Sequence, residues 1–427
     1  MRILVTGANG FIGGYLVSHL LSRGHQVVCC VRAIAQTQSR FPMTEVISCD
    51  FSCDIRASDW LPRLANIDAV VNCVGVLAAS SQQHIDNIHY QTPIALFKAC
   101  EQLRIKRVIQ ISALGVADGP DIDYVTTKRK ADEALLKMNV SACILRPSLI
   151  YASGAYGGTS LLRALSALPY VVPLIGSGQF RFQPVAMFDL VRVIDYFLAQ
   201  EHRGIVDVVG PKTATIKSIQ LFLRQWLGLP SARVYSIPQW FIKLLVKLGD
   251  VFSLGPLNSV SYQMILQENV GDYNALRSLL NFDLTSFPEG LNFYPSQTQD
   301  RWHARLYFLQ PLLTFSLFLL WFFSGLIPLL TNQQSAEQLL FHLGVPSTMV
   351  SSLRVISCLW DIFLAAGIMA ARQKQFFGIM QLLTIGVYTM ISTVGLSSLW
   401  LNPLGPLLKN IPILMAVLIW MVMVDER

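Results

Sequence analysis

The sequence predicts an α/β domain built on a doubly wound parallel sheet, followed by a bundle of membrane-spanning helices. Three observations predict it. Short apolar runs alternate with amphipathic stretches up to about residue 300, a glycine-rich turn separates the first run from the first amphipathic stretch, and the chain then becomes a series of long apolar segments. Of the 427 residues 53% are hydrophobic and only 14% charged, with a mean hydropathy of +0.47, which excludes disordered and low-complexity classes and assigns part of the chain to lipid. The net charge of +7 comes without a Lys/Arg-rich run interleaved with aromatics, so the expected partner is an anionic bilayer surface and not nucleic acid. Cys29, Cys30, Cys49, Cys53, Cys73, Cys100, Cys143 and Cys358 lie mostly in apolar runs without CxxC pairs or nearby His, and read as reduced core thiols with no metal site. The N-terminus enters a strand directly, so no secretory signal peptide is expected.

Residues 3–6 form the first strand, and Gly7-Ala8-Asn9-Gly10-Phe11-Ile12-Gly13 then opens a helix running through Leu16, Leu20 and Leu21. Glycines at such a turn let backbone N–H groups approach a pyrophosphate at the helix N-terminus, and the last one permits close helix-to-strand packing. Thr6, Gly7, Asn9, Gly10, Phe11, Ile12 and Gly13 are therefore the expected dinucleotide cradle of a Rossmann-type sheet. After the second strand, 26–31, stands Arg32 where a carboxylate would bond the 2′-hydroxyl of NAD; a guanidinium suits a 2′-phosphate, so NADP(H) is favoured over NAD(H). The third strand, 46–49, ends at Asp50-Phe51, placed for the adenine. A buried strand is expected over 69–75, carrying Asn72 and ending at Gly75, which allows the cofactor backbone close approach.

Strand 107–111 is followed by Ser112, and Tyr124-Val125-Thr126-Thr127-Lys128 begins a helix. Tyr124 and Lys128 are one turn apart on one face, where the ammonium is expected to favour phenolate and bring the phenol from about 10 towards neutrality. Tyr124 then exchanges a proton with a substrate alcohol or carbonyl whose oxygen Ser112 holds.

TGANGFIG at 6–13, Asp50, ISALG at 111–115, YVTTK at 124–128, RPSLIY at 146–151 and QPV at 183–185 together resemble the short-chain dehydrogenase/reductase superfamily, in its extended and atypical epimerase/dehydratase-like branch, over about residues 1–300. The resemblance implies Tyr124 as acid/base, Lys128 as the ribose-binding and pKa-tuning residue, and Ser112 as substrate-oxygen donor. The chain departs from the family pattern at His89, where an Asn is usual, at Ala152 in place of Gly and at Ala186 in place of His, so the proton relay and substrate pocket are expected to differ.

The expected domains are 1–210 for the nucleotide, 211–300 for a small substrate-side lobe, and 301–427 for the membrane. In the lobe, helix 238–248 places Trp240, Phe241, Leu244, Leu245 and Leu248 on one broad face with Lys243 and Lys247 at its edge, which fits a helix packed on the core or one lying at a membrane interface. Four spans are expected at about 306–330, 347–371, 376–400 and 404–424. Arg301, Arg305, Arg372, Lys374 and Arg427 fall on one side of them, and the connection 331–346 has no Lys or Arg, so the soluble part and both termini are expected in the cytoplasm of a bacterial-type inner membrane. Arg354 and Asp361, seven apart in the second span, fit a polar site inside the bundle or, for Arg354, a place near the headgroups. The four short spans, Ser324-Gly325 and the acidic residue in the second span resemble the DoxX-like membrane family, which implies a link to membrane redox partners.

The sequence thus points to a membrane-anchored NAD(P)(H)-dependent oxidoreductase acting on an apolar carbonyl or alcohol delivered from the bilayer. Two alternatives follow from the same resemblance: a sugar-nucleotide epimerase or dehydratase, and a non-catalytic nucleotide-binding scaffold of a membrane redox complex, as in the related accessory subunit of complex I.

Overall fold

The computed structural model of the chain describes residues 1–77, 82–252, 257–331, 340–341, 344–370, 373–403 and 405–424. It divides into two compact units, Met1–Ala304 and Arg305–Arg427.

The strands of the first unit are β1 (Arg2–Thr6), β2 (Gln26–Val31), β3 (Glu45–Ser48), β4 (Ala69–Asn72), β5 (Arg107–Ile111), β6 (Ala142–Pro147), β7 (Val171–Ile175), β8 (Gly204–Val208) and β9 (Arg233–Ile237), besides some two-residue strands. Seven of them form a parallel sheet in the order β8-β6-β5-β4-β1-β2-β3, while β7 and β9 pair separately. The helices used below are α1 (Phe11–Ser22), α2 (Thr92–Gln102), α3 (Asp123–Leu136), α4 (Met187–Ala199) and α5 (Gln239–Phe252).

The sheet is covered on both faces because its strands are mostly apolar and their side chains alternate between two cores. Ile3 and Val5, Val27 and Cys29, Ile109 and Ile111 face one core with Leu16, Val17 and Leu20 of α1 and Leu190, Val193 and Ile194 of α4. Leu4, Val28, Cys30 and Val108 face the other with Trp60 and Leu96 and Phe97 of α2. Each fully buried aliphatic side chain contributes about 1.5–3 kcal/mol, so the two layers fix the sheet. The strand order reverses between β1 and β4, which run parallel, and this is the place where such sheets bind ligands. The run 69–75, expected as one strand, leaves the sheet after Asn72, because the Val74 N–H bonds the Asn72 side-chain oxygen (3.2 Å) and not a neighbouring strand.

Beyond the sheet, Tyr151, Phe182, Ile216, Ile219, Leu223, Phe287 and Leu291 form a smaller core. Helix α5 does not bury its aromatic stripe. Ile242 and Val246 pack against Tyr262, while Trp240, Phe241, Leu244 and Leu248 are exposed.

In the second unit, α6 (Leu309–Leu330), α7 (Ser347–Ala370) and α8 (Lys374–Gly395) are long and apolar enough to cross a membrane. The fourth expected span is a 15-residue apolar helix, α9 (Asn410–Val424). At 1.5 Å per residue it reaches about 22 Å, short of the roughly 30 Å hydrocarbon core. Pro403 and Pro406, which lack an N–H, and Gly405, at φ +54°, set the chain turning before Asn410. A Cβ on Gly325 of α6 would stand 2.4 Å from the Cys358 carbonyl oxygen of α7, so the small residue sets their close approach. Polar side chains pair across the bundle. Trp321 donates to Gln381 (2.9 Å), Trp360 to Thr384 (3.0 Å) and Tyr388 to Asp361 (3.0 Å), while Arg354 donates to the Pro328 carbonyl (2.6 Å). Residues 332–339, 342 and 343, together with Ala371, Arg372, Leu404 and Arg427, lie outside the described residues.

Candidate functional site

At the end of β1 the chain turns through Gly7, at φ +68°, where a Cβ would come within 3.2 Å of the Cys73 backbone. The Gly10 N–H closes the turn on the Gly7 carbonyl (2.8 Å), and α1 begins at the next residue. A Cβ at Gly13 would stand 2.1 Å from the Gly7 carbonyl oxygen, so only glycine lets α1 start this close to β1. Gly10 is exposed, and the side-chain oxygen of Asn9 is buried with no hydrogen-bond partner among the described residues. An exposed helix start without side chains, next to an unmatched amide oxygen, suits a phosphate-bearing group held by backbone N–H donors.

Thr6 and Asn72 serve the sheet itself. Thr6 Oγ1 donates to Asn72 Oδ1 (2.6 Å), and Asn72 Nδ2 donates to Gln110 (2.7 Å), a buried ladder across β1, β4 and β5. Phe11 stacks on Tyr156 with centroids 5.5 Å apart, and Ile12 packs on the α1 core. Arg32 is exposed just past β2. Asp50 accepts hydrogen bonds from the Ser52 N–H (2.9 Å) and hydroxyl (2.7 Å). Burial opposes its ionisation, but these bonds and the charges of Arg32 and His84 outweigh it and hold the carboxyl below its usual range. The Phe51 ring is in the core, edge-on to Trp60 at 5.5 Å, and its carbonyl accepts from Thr92 Oγ1 (2.9 Å), so contact with an adenine falls to its backbone N–H.

Helix α3 carries Tyr124 and Lys128 to the ends of β4 and β5. Both are buried, with Lys128 Nζ 5.8 Å from the centre of the Tyr124 ring and donating to the Ile111 carbonyl (3.1 Å). Gly75 is exposed, and a Cβ on it would lie in ordinary contact with Lys128 Nζ (3.4 Å), so the glycine leaves a strip of bare backbone open beside the ammonium. Burial, reinforced by the Asp132 carboxylate, pushes the Tyr124 phenol up to about 12. This corrects the expected shift towards neutrality: burial disfavours the phenolate, the Asp132 carboxylate adds to it, and burial lowers the pKa of Lys128 as well.

Ser112 is held by a carboxylate that sequence reading did not single out. Its hydroxyl donates to Asp132 Oδ2 (2.8 Å), which also accepts from Arg146 Nε (3.1 Å) and Nη2 (2.9 Å). A serine has one O–H to give, so here it is committed to Asp132. The signals were present: Asp132 is one turn beyond Lys128 on the same helix face, and Arg146 is a charge inside an otherwise apolar strand. His89 accepts from the Val76 N–H at Nε2 (3.1 Å) and its Nδ1 is 3.1 Å from Thr127 Oγ1, while its ring meets Tyr124 edge-on at 5.5 Å. Burial and the Lys128 charge hold its pKa well below the usual histidine value. With both nitrogens engaged, His89 pins the exit of β4 to the tyrosine helix and is spent as a proton relay. Ala152 and Ala186 line a separate small cavity of about 10 Å³, water-sized, with Tyr15, Tyr151, Phe188 and Tyr294. Arg40, with its guanidinium 2.6 Å from where a Cβ on Gly14 would stand, is a cation beside the turn that the sequence did not flag.

Residues 3–209 match the NAD dependent epimerase/dehydratase family, and residues 318–418 match the DoxX-like family. The chain is 25% identical over 317 residues to subunit 9 of the 1 alpha subcomplex of mitochondrial NADH dehydrogenase (ubiquinone) of Arabidopsis thaliana, covering 68% of this chain and 75% of that one. It is 25% identical over 230 residues to a 3-beta-hydroxysteroid dehydrogenase of Mycolicibacterium neoaurum, covering 47% and 61%. A UDP-glucose 4-epimerase of Thermus thermophilus solved with NAD has the same fold, at a TM-score of 0.54 and 16% identity over 71% of this chain and 99% of that one.

Proposed function

We propose that this chain, which joins an epimerase/dehydratase-family domain to a DoxX-like segment, is a membrane-anchored oxidoreductase that transfers hydride between a nicotinamide dinucleotide and an apolar carbonyl or alcohol. The observation that carries it is the convergence of Tyr124, Lys128 and the open strip at Gly75 at the strand ends. The glycine turn from Gly7 to Gly13 would hold the pyrophosphate, Arg32 a 2′-phosphate, Asp50 and the Phe51 backbone the adenine, and Lys128 the ribose beside the nicotinamide. That group supplies or takes up the hydride when bound. A phenol raised to about 12 is protonated at neutral pH, so Tyr124 is set to donate. In the reducing direction its hydroxyl proton passes to the carbonyl oxygen as the carbon gains hydride, and the Lys128 ammonium stabilises the phenolate left behind. Ser112 would hold the substrate oxygen after releasing Asp132. The apolar substrate class rests on the adjoining apolar helices, and the steroid dehydrogenase relative is consistent with it. Residues 211–300 would close the substrate side.

A second reading, a nucleotide-bound scaffold in a membrane redox assembly, is favoured by the committed Ser112 hydroxyl and by the NADH dehydrogenase relative. A sugar-nucleotide epimerase is disfavoured by Arg32, which replaces the carboxylate that NAD binding calls for.

Two expected results bear on the finer parts. NADPH should bind more tightly than NADH, with Arg32→Ala narrowing the difference; equal affinities in the unaltered protein, measured by titration, contradict the 2′-phosphate role. The charge bias favours an orientation with the soluble unit and both termini in the cytoplasm of a bacterial-type inner membrane. A reporter fused after residue 427 should then be active on the cytoplasmic side, and activity on the far side reverses the orientation.

A further inference from the structure

Helix α5 has an apolar stripe that its own domain leaves uncovered. Ile242 and Val246 point to Tyr262, and Gly249 lies against Leu257. At 100° per residue, Trp240, Phe241, Leu244 and Leu248 fall in one sector opposite that packed edge, and they are 69, 39, 50 and 43% exposed. Trp240 and Phe241 meet edge-to-face at 5.7 Å. Lys243 and Lys247 are exposed along one border of the stripe, and the carboxylate of the helix, Asp250, accepts from the Ser259 N–H (2.9 Å). A contiguous aromatic and leucine face bordered by lysines is the pattern of a helix lying in the plane of a bilayer, with rings among the upper acyl chains and ammonium groups reaching the headgroups.

We infer that α5 docks the soluble unit onto an anionic lipid surface. The occupant is a bilayer because the described residues of the same chain include three helices long and apolar enough to cross one, which keeps lipid within reach of the tethered unit. Tethering makes the second contact intramolecular at an effective concentration of about millimolar, enough for a four-residue stripe too weak to hold a free protein. The lysine border fits phosphatidylglycerol-type headgroups. This inference rests on the membrane anchoring proposed above.

The test uses the full chain in vesicles of phosphatidylcholine with or without phosphatidylglycerol, carrying p-benzoylphenylalanine in place of Trp240, Leu244 or, as an exposed control, Met43, which is 87% exposed. Irradiation should give lipid adducts at 240 and 244 several-fold above those at 43, more with phosphatidylglycerol, and fewer after Lys243→Glu with Lys247→Glu. All these positions are on the surface, so the variants keep the fold. Co-flotation with the vesicles reports insertion separately. Flotation without lipid adducts at 240 and 244 overturns the docking helix and leaves the anchoring intact, and loss of flotation overturns both. Cross-links between two chains at 240 overturn it in favour of a second copy of this protein as the occupant, and equal yields at 43 overturn it as unselective.

Discussion

Tyr124→Phe should slow hydride transfer by about a hundredfold or more while nucleotide affinity stays unchanged. The substitution removes one hydroxyl and keeps the ring, so the edge-on contact with His89 and the position of Lys128 persist. What is lost is the proton that, in the proposed reaction, the substrate oxygen takes up. Burial and Asp132 keep that proton on the phenol at neutral pH, so its absence falls directly on the reducing direction. Oxidation of the reduced nicotinamide by membrane-lipid extract measures the rate, and calorimetric titration the affinity. A loss smaller than about threefold would remove Tyr124 from the chemistry.

Gly13→Ala should abolish measurable nucleotide binding and cost about 1–3 kcal/mol of stability, the usual range for forcing an added carbon into a packed site. The new Cβ would sit 2.1 Å from the Gly7 carbonyl oxygen, a backbone atom of the turn itself, and the turn must open to admit it. Gly14→Ala is the contrast. Its Cβ would meet the end of the Arg40 side chain at 2.6 Å, a flexible group that can swing away, and alanine favours the helix by about 1 kcal/mol over glycine. Thermal unfolding and nucleotide titration of the two variants should therefore separate clearly. Normal binding by Gly13→Ala contradicts the cradle.

The parts of the site that lie along one element were legible in the sequence, because helical and strand periods set their neighbours. The glycine turn, Tyr124 over Lys128 and the alternation that buries both faces of the sheet all follow from spacing. The parts that join distant segments were not. Asp132 with Arg146 and Ser112, Thr6 with Asn72 and Gln110, and His89 held between Val76 and Thr127 are contacts among separate strands and helices, and no local period announces them. The sign of the Tyr124 shift was missed for the same reason. Spacing supplied the ammonium, but the dry surroundings and the carboxylate come from the assembled fold. The outward stripe of α5 depends on which edge Tyr262 claims, a tertiary fact. The late start of the fourth helix could have been read from the Pro403, Gly405 and Pro406 cluster, whose composition favours a turn.

The measurement that tests the central claim most directly follows a deuteride. The purified full chain, in lipid vesicles made from a total membrane extract, is given NADPH deuterated at the transferable position, and the apolar fraction is examined by mass spectrometry. Tyr124-dependent reduction predicts an apolar alcohol one mass unit heavier with the unaltered protein and its near absence with Tyr124→Phe. Tight nucleotide binding with no deuterium in any apolar product from either protein would contradict the oxidoreductase and support the scaffold.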